Sequence, residues 1–179
     1  MEDDDNNKYK YCKDINDKRI RVSIDNILDV WYWKECKTKQ DYWYKINVYL
    51  YTNPKTGYQK YNLMINGKTC VLSRVIYKCY NNDWDITDSG KNNFVDHINN
   101  NSLDNRIVNL RILTNQQNQF NRNTRGTHFR KDWNPHNFWT AGITINGKRI
   151  CKSGFETEEE AHQHYLILKQ KYHIIPDNI

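Results

Sequence analysis

The sequence predicts an α+β chain, rich in short antiparallel strands with helices following them, and three observations carry that prediction. Short runs alternate apolar and polar residues in the two-residue period of a half-buried strand. Asn66-Gly67 and Asn146-Gly147 each lie between two such runs, a strong signal for a tight type I′ hairpin. Thr114 with Gln117, and Thr157 with Glu160, have the spacing of a capping box and mark helix starts just beyond strand-like segments.

Taken in order, residues 1–10 form a tail whose acidic start, Glu2 to Asp5, is expected to be disordered. Residues 11–57 are an aromatic-rich β segment without further assignment. Within it Tyr42 to Tyr51 alternates as one strand, with Tyr42, Tyr44, Ile46 and Val48 on one face. The Trp and Tyr cluster from Trp31 to Tyr44 has two readings, a surface that stacks on bases and the core of a small sheet, and the core reading is favoured. Asn53-Pro54-Lys55-Thr56-Gly57 is a turn. Tyr58 to Ile65 and Lys68 to Leu72 then pair as a hairpin, and Ser73 to Tyr80 follows as a helix with Val75, Ile76 and Cys79 inward.

The middle of the chain predicts a compact unit. Asn93 to Ile98 is a strand. Asn99 to Arg106, rich in Asn, Ser and Asp, is a loop. Ile107 to Leu113 is a second strand in which Leu110 and Ile112 alternate with Arg111. A short helix starts at Thr114 and carries Asn118 in its first full turn. Strand, loop, strand and short helix would leave one metal site in the crevice between them.

The polar residues of this unit point to a reaction. Cutting a phosphodiester needs a group that takes a proton from water, and a cation that neutralises charge on phosphorus and on the leaving oxygen. His97 can do the first, and imidazoles, which titrate at about 6.5, are largely unprotonated near neutral pH. Asp96 and Asn118 can hold the cation. The reading is a nuclease.

Asp96-His97-Ile98, Asn105-Arg106, Asn109-Leu110-Arg111, Thr114, Gln117-Asn118 and Asn121-Arg122 resemble the HNH endonucleases, in the form found in phage and intron homing enzymes. The resemblance implies an HNH nuclease domain over residues 58–124, whose ββα-metal fold follows a small hairpin and helix and cleaves DNA with one divalent ion. It makes His97 the general base, Asp96 and Asn118 the metal ligands, and Asn109 the central asparagine that pins the loop and orients the histidine. Asn118 stands where the family often has His, and a neutral oxygen ligand suits magnesium or manganese better than zinc. Products with 5′-phosphate and 3′-hydroxyl ends are implied. Arg106, Arg111 and Arg122 are candidates for gripping phosphates; Arg111 has a second reading, lying flat over the outer sheet face. The hairpin and helix before this unit resemble the element that precedes the metal fold in homing-type members, with Ser73-Arg74 where the family often has His-Arg.

Residues 125–175 predict a three-stranded antiparallel sheet packed on one helix. Gly126 to Arg130 is its first strand, Trp139 to Ile145 its second and Lys148 to Lys152 its third. The Thr157 cap opens a helix whose Ala161, Tyr165, Leu168 and Tyr172 share one apolar face. Glu158, Glu159 and Glu160 suit the positive helix start. His162 and His164, two apart, cannot share a ligand on one helix face and read as surface or edge residues. Gly126, Trp139-x-Ala141-x-Ile143, Gly147-Lys148-Arg149, Gly154-Phe155-x-Thr157 and Glu159-Glu160-Ala161 with Tyr165 resemble the DNA-binding domain of plant ethylene-response factors, the APETALA-two type. That resemblance implies a sheet lying in the DNA major groove, with Arg130, Trp139, Arg149 and Lys152 as contacts. His128 and Thr144 replace arginines common in the plant proteins, which puts sequence specificity in doubt.

Bulk composition agrees. The net charge is +6 and the pI near 9.0, which suits a polyanion partner. Hydrophobic residues make up 37% and aromatic ones 13%, so Tyr and Trp must supply much of the packing. Five cysteines without a C-x-x-C pair argue against a zinc ribbon; with no signal peptide, they suggest reduced thiols in an intracellular setting. No apolar run approaches the length of a membrane span. Abundant Asn, Lys, Ile and Tyr, encoded by A/T-rich codons, hint at an AT-rich genome such as that of a large DNA virus. The expected activity is a metal-dependent, homing-type DNA endonuclease that nicks double-stranded DNA, with no small-molecule substrate and no membrane partner. Its rivals are a catalytically silent DNA-binding protein on the same scaffold and an RNA-binding or RNA-cleaving protein.

Overall fold

A computed structural model of the chain describes residues 7–16, 18–88, 90, 92–121, 124–131 and 138–174. The acidic start and Arg122 lie outside the described residues. The chain is α+β, mostly sheet with three α-helices, and divides into two compact units, Met1–Ile112 and Leu113–Ile179.

The first unit opens with a four-stranded antiparallel meander of β1 (Tyr9–Ile15), β2 (Lys18–Ser23), β3 (Val30–Lys34) and β4 (Tyr42–Ile46). β1 therefore begins at Tyr9, inside the segment 1–10 expected to be a tail. Val22, Val30 and Ile46 face one another across three strands and are buried on the inner face with Cys12 and Ile20. The predicted strand from Tyr42 to Tyr51 breaks at Asn47. Its second half, β5 (Val48–Thr52), joins a different sheet with β6 (Gln59–Ile65) and β7 (Lys68–Val71). The sequence alternates without interruption across Asn47, so periodicity alone could not reveal the change of sheet.

Asn66 and Gly67, at φ 49° and 75°, turn β6 into β7 with the left-handed pair that a type I′ hairpin requires. Helix α1 (Leu72–Tyr80) then lays Leu72, Val75, Ile76 and Cys79 onto Cys12, Ile20, Val22, Leu63 and Ile65 in one core. Leu110 belongs to the same core. The first three strands, the hairpin and the segment carrying the candidate site thus share one hydrophobic centre. Burial at about 25 cal/mol per Å² of apolar surface is what holds them together.

The site strands are β8 (Phe94–His97) and β9 (Leu110–Leu113), paired as a two-stranded sheet. The expected second strand from Ile107 is shorter: Ile107–Asn109 is a 3-10 turn, because the Asn109 N–H donates to the Arg106 carbonyl at 2.8 Å. In β9 the buried residues are Leu110 and Leu113, with Arg111 and Ile112 half-buried.

In the second unit, α2 (Asn115–Asn121) starts at the predicted cap. The Thr114 N–H donates to Gln117 Oε1 at 2.9 Å and the Gln117 N–H to Thr114 Oγ1 at 3.1 Å. Phe120 is buried under a stacked His173 ring 3.9 Å away. The expected three-stranded sheet is present as β10 (Thr127–Arg130), β11 (Phe138–Ile145) and β12 (Lys148–Phe155), in that order, covered by α3 (Glu158–Tyr172). Asn146 and Gly147 form the second left-handed hairpin turn, at φ 48° and 76°. Ala141, Ile143, Ala161, Tyr165 and Leu168 make the core between sheet and helix, and Thr157 and Glu160 complete the α3 capping box.

Candidate active site

His97 ends β8, at the edge of a cleft of about 220 Å³ whose lining includes Lys60, Ser73, Arg74, Ser102 and Asn105. Its Nε2 lies 3.0 Å from Asn105 Oδ1. The Asn105 amide is oriented by its own Nδ2, which donates to the Leu103 carbonyl at 3.3 Å. An amide oxygen only accepts, so Nε2 carries the proton and Nδ1 is the ring atom that can take one. Asn105 is 1% exposed, so the amide that faces the imidazole is held in place by its surroundings.

Asn109 is hydrogen-bonded across the loop through its side chain. Its Oδ1 accepts the Asn99 N–H at 3.0 Å, and its Nδ2 donates to Asn99 Oδ1 at 3.0 Å and to the Asp104 carbonyl at 2.7 Å. Its backbone carbonyl accepts the Ile98 N–H at 2.9 Å, which ties the 3-10 turn to the end of β8. Asn105 Oδ1, however, is the amide oxygen that faces His97 Nε2. In a chain this rich in asparagine the sequence does not distinguish the two; the hydrogen-bond geometry does. Ser102 Oγ donates to the Gln59 carbonyl at 2.5 Å and fastens the loop to β6.

Asp96 points its carboxylate at Arg111 across the strand pair. Arg111 Nε donates to Asp96 Oδ2 at 3.0 Å, and the two side chains are only 11% and 9% exposed. Arg111 therefore neither lies over an outer sheet face nor stands clear as a phosphate grip; it is the counter-charge of the candidate ligand. Arg106 is likewise engaged. Its Nε and Nη2 clamp both oxygens of Asp104 at 2.7 and 2.6 Å, and that hydrogen bonding holds the Asp104 carboxyl far below the usual carboxylate range. Two cations that the sequence did not single out, Lys60 and Arg74, line the cleft with His97. Arg74 also donates to the carbonyls of Asn93 and Ile86 at 3.1 and 2.6 Å, which shapes the approach to β8.

The chemistry of the two residue types fits a hard divalent cation. Asp96 offers a carboxylate, which Arg111 already engages, and Asn118 is of a type with a neutral amide oxygen. Oxygen donors of this kind suit magnesium or manganese. The neighbouring guanidinium opposes a second positive charge and weakens any such site by Coulomb repulsion.

The sheet-type module separates its four candidate contacts. Arg149 pairs with Thr144, and Arg130 with Phe138, on the face turned away from α3. Trp139 pairs with Phe155 and Phe129, and Lys152 with buried Ala141, on the helix side. Trp139 packs against the core there, 5.0 Å from Phe129, and Lys152 Nζ lies 5.6 Å over the Phe155 ring. His162 Nδ1 donates to the Arg125 carbonyl at 2.8 Å, and His164 lies beside Phe155, both structural edge contacts. No helix among the described residues is long and apolar enough to cross a membrane.

Comparison with known proteins meets the same segment. Residues 89–120 match the HNH endonuclease family. A protein of Acanthamoeba polyphaga mimivirus described as an uncharacterized HNH endonuclease is 35% identical over 78 residues, 44% of this chain and 42% of its own length. The chain thus spans less than half of the curated relative that it matches. No solved structure matches. Over the stretch that holds Asp96, His97, Asn105, Asn109, Arg111 and Asn118, this chain is similar to the HNH endonucleases.

Proposed function

We propose that the chain is a metal-dependent DNA endonuclease of the HNH homing type, which nicks double-stranded DNA with His97 as general base. One observation carries the reading: a histidine whose Nε2 is fixed by a buried amide, at the mouth of a cleft lined by Lys60 and Arg74, in the segment that matches the family. Water held against Nδ1 attacks phosphorus as its proton passes to His97, and the bond from phosphorus to the 3′ oxygen breaks. Products then carry 5′-phosphate and 3′-hydroxyl ends. A divalent ion held by Asp96 and Asn118 would supply charge neutralisation at the phosphate and the departing oxygen. In this reading β8, β9 and α2 are the ββα-metal unit.

Lys60 and Arg74 replace Arg106 and Arg111 as the phosphate contacts beside the cut. Arg130 and Arg149, on the open face of the C-terminal sheet, are the duplex contacts of an APETALA-two-like module. Such an appended surface lengthens the footprint of a nuclease that otherwise holds mainly phosphates.

The engagement of Asp96 by Arg111 favours one rival, a DNA-binding protein with a silent site. Supercoiled plasmid incubated with magnesium or manganese decides between them, with EDTA and His97→Ala as controls. Metal-dependent nicking that His97→Ala lowers by about 10²-fold or more supports the nuclease. Tight duplex binding that ignores His97→Ala, with no cleavage in either metal or in an AT-rich target library, supports the silent protein.

A further inference from the structure

The β1–β4 meander has two faces of opposite character. Its inner face is apolar and buried under α1. On the outer face the register sets Tyr11 beside Arg21, Arg21 beside Trp31, and Trp33 beside Trp43. The favoured expectation that this aromatic cluster is core does not hold for these side chains. The core on this sheet is made by Cys12, Ile15, Ile20, Val22, Val30 and Ile46, while Trp31, Trp33 and Trp43 are half-exposed.

We propose that this outer face binds an unpaired strand of nucleic acid, with bases against the Trp33 and Trp43 rings and phosphate at Arg21. It is a binding surface separate from both the cleft at His97 and the C-terminal sheet. Arg21 carries the charge argument. Its guanidinium lies 4.3 Å from the Tyr9 ring, 4.6 Å from Trp43 and 5.0 Å from Trp31. Among the described residues it makes no hydrogen bond or ion pair, and its Nε is enclosed without a partner. Ring faces stabilise the cation but offer its N–H groups no acceptor oxygen. Arg19 is centred 5.9 Å from the Trp33 ring and 5.7 Å from Trp43, which adds positive potential over the same rings.

The chemistry selects the partner. An apolar protein surface would bury Arg21 without a counter-charge, a costly arrangement. An acidic peptide would answer the cations and leave the two indoles uncovered. A nucleotide brings a π face and a phosphate together, and base stacking on aromatic side chains tolerates any sequence. The bases of a duplex are already stacked on one another, so these rings, tilted at 55° to 87° to their neighbours, reach only splayed-out ones.

The test uses the full chain in EDTA, so its outcome does not depend on whether His97 cleaves. Fluorescence anisotropy compares a labelled oligothymidylate of about twenty nucleotides with a duplex of equal length, a span of one or two typical binding sites. Trp33→Ala and Trp43→Ala are each expected to weaken the single-strand complex by about tenfold, the effect of losing one stacked base, and to leave duplex affinity unchanged. An excess of polyglutamate is expected to leave the complex intact. The proposal is overturned if folded variants with unchanged Tm hold the oligothymidylate as tightly as the wild type, or if polyglutamate displaces it. Should both variants unfold, tryptophan emission of a chain with Trp84, Trp133 and Trp139 all replaced by Phe decides, since its remaining indoles lie on the meander: quenching at saturation upholds the proposal and unaltered emission overturns it.

Discussion

Asn105 Oδ1 stands 3.0 Å from His97 Nε2, a buried amide facing the imidazole of the candidate base. The bond sets which nitrogen carries the proton, and so which one can receive another. Asn105→Leu, close in size but without the acceptor, is expected to lower kcat by about tenfold to hundredfold, the usual cost of losing an orienting partner. Duplex affinity should hold, because Asn105 is buried and offers no surface to the duplex. Single-turnover cleavage and anisotropy on the same preparation check this; equal losses in both would assign Asn105 to the scaffold alone.

Asp96 and Arg111 form the most enclosed ion pair among the described residues. Removing one partner of a buried pair costs about 3 kcal/mol, because the other charge is left uncompensated. Arg111→Met is therefore expected to lower Tm in EDTA. Manganese should then restore part of the loss, and should raise Tm more than in the wild type, since the Asp96 carboxylate no longer shares its charge with a guanidinium. Differential scanning fluorimetry with and without manganese reads both effects. A metal response equal to that of the wild type would remove Asp96 from the ligand set.

His173 lies flat on Phe120, its two ring nitrogens enclosed without hydrogen bonds. Burial, and then the nearby Lys169, push its pKa below the ordinary histidine value. The sign follows from linkage: between the lowered folded value and the unfolded value of about 6.5, the unfolded chain binds the extra proton. Stability of the second unit should be level above that unfolded value and should fall as pH drops through this window. His173→Phe keeps the stack and should remove this part of the pH dependence. Thermal melts at about pH 7.5 and about pH 5 bracket the transition; an equal slope in the variant would trace the effect to other groups.

Gly126 has φ +64°, and a Cβ there would come within 2.0 Å of the Tyr165 ring. The ring cannot simply swing away, as Tyr165 is a buried core residue whose hydroxyl bonds Thr124 Oγ1 at 2.9 Å. Gly126→Ala combines left-handed strain with overpacking, together about 3 kcal/mol. The expected result is early melting and rapid proteolysis of the second unit. Loss of duplex binding should accompany it if the open face of β10 to β12 is the contact surface, and intact binding would locate the contacts elsewhere.

Cys79 lies in the first core with its thiol pushed well above its ordinary pKa, first by burial. Cys12 lies against it at 2.8 Å, while Cys151 is exposed on β12. Iodoacetamide should modify Cys151 within minutes and reach Cys12 and Cys79 only under denaturant, because the thiolate is the reactive form. Mass mapping of the alkylated peptides gives the order directly.

What could be foreseen from sequence was what neighbouring residues decide among themselves. The two Asn-Gly turns, the two capping boxes and the inward residues of α1 follow from local chemistry, and each stands where the pattern put it. The break at Asn47 was hidden because both halves keep the same alternation while joining different sheets. The meander was hard to read because aromatic residues occupy both of its faces: Tyr32 packs against the core and Trp33, beside it, does not. At the site, Asp96, His97 and Asn109 could be picked out from their spacing. The engagement of Asp96 by Arg111, and of His97 by Asn105, depends on partners that only folding brings together.

Leu110 of the site strand lies in the same core as Ile20 and Val22, and Ser102 is fastened to the Gln59 carbonyl. The stretch most similar to known nucleases is consequently not a detachable cassette. A genetic exchange that carried only that stretch into another protein would leave its loop untethered and its strand without a floor. A portion that keeps this loop tethered and this strand supported has to carry β1, β2, β6 and α1 of the first unit with it.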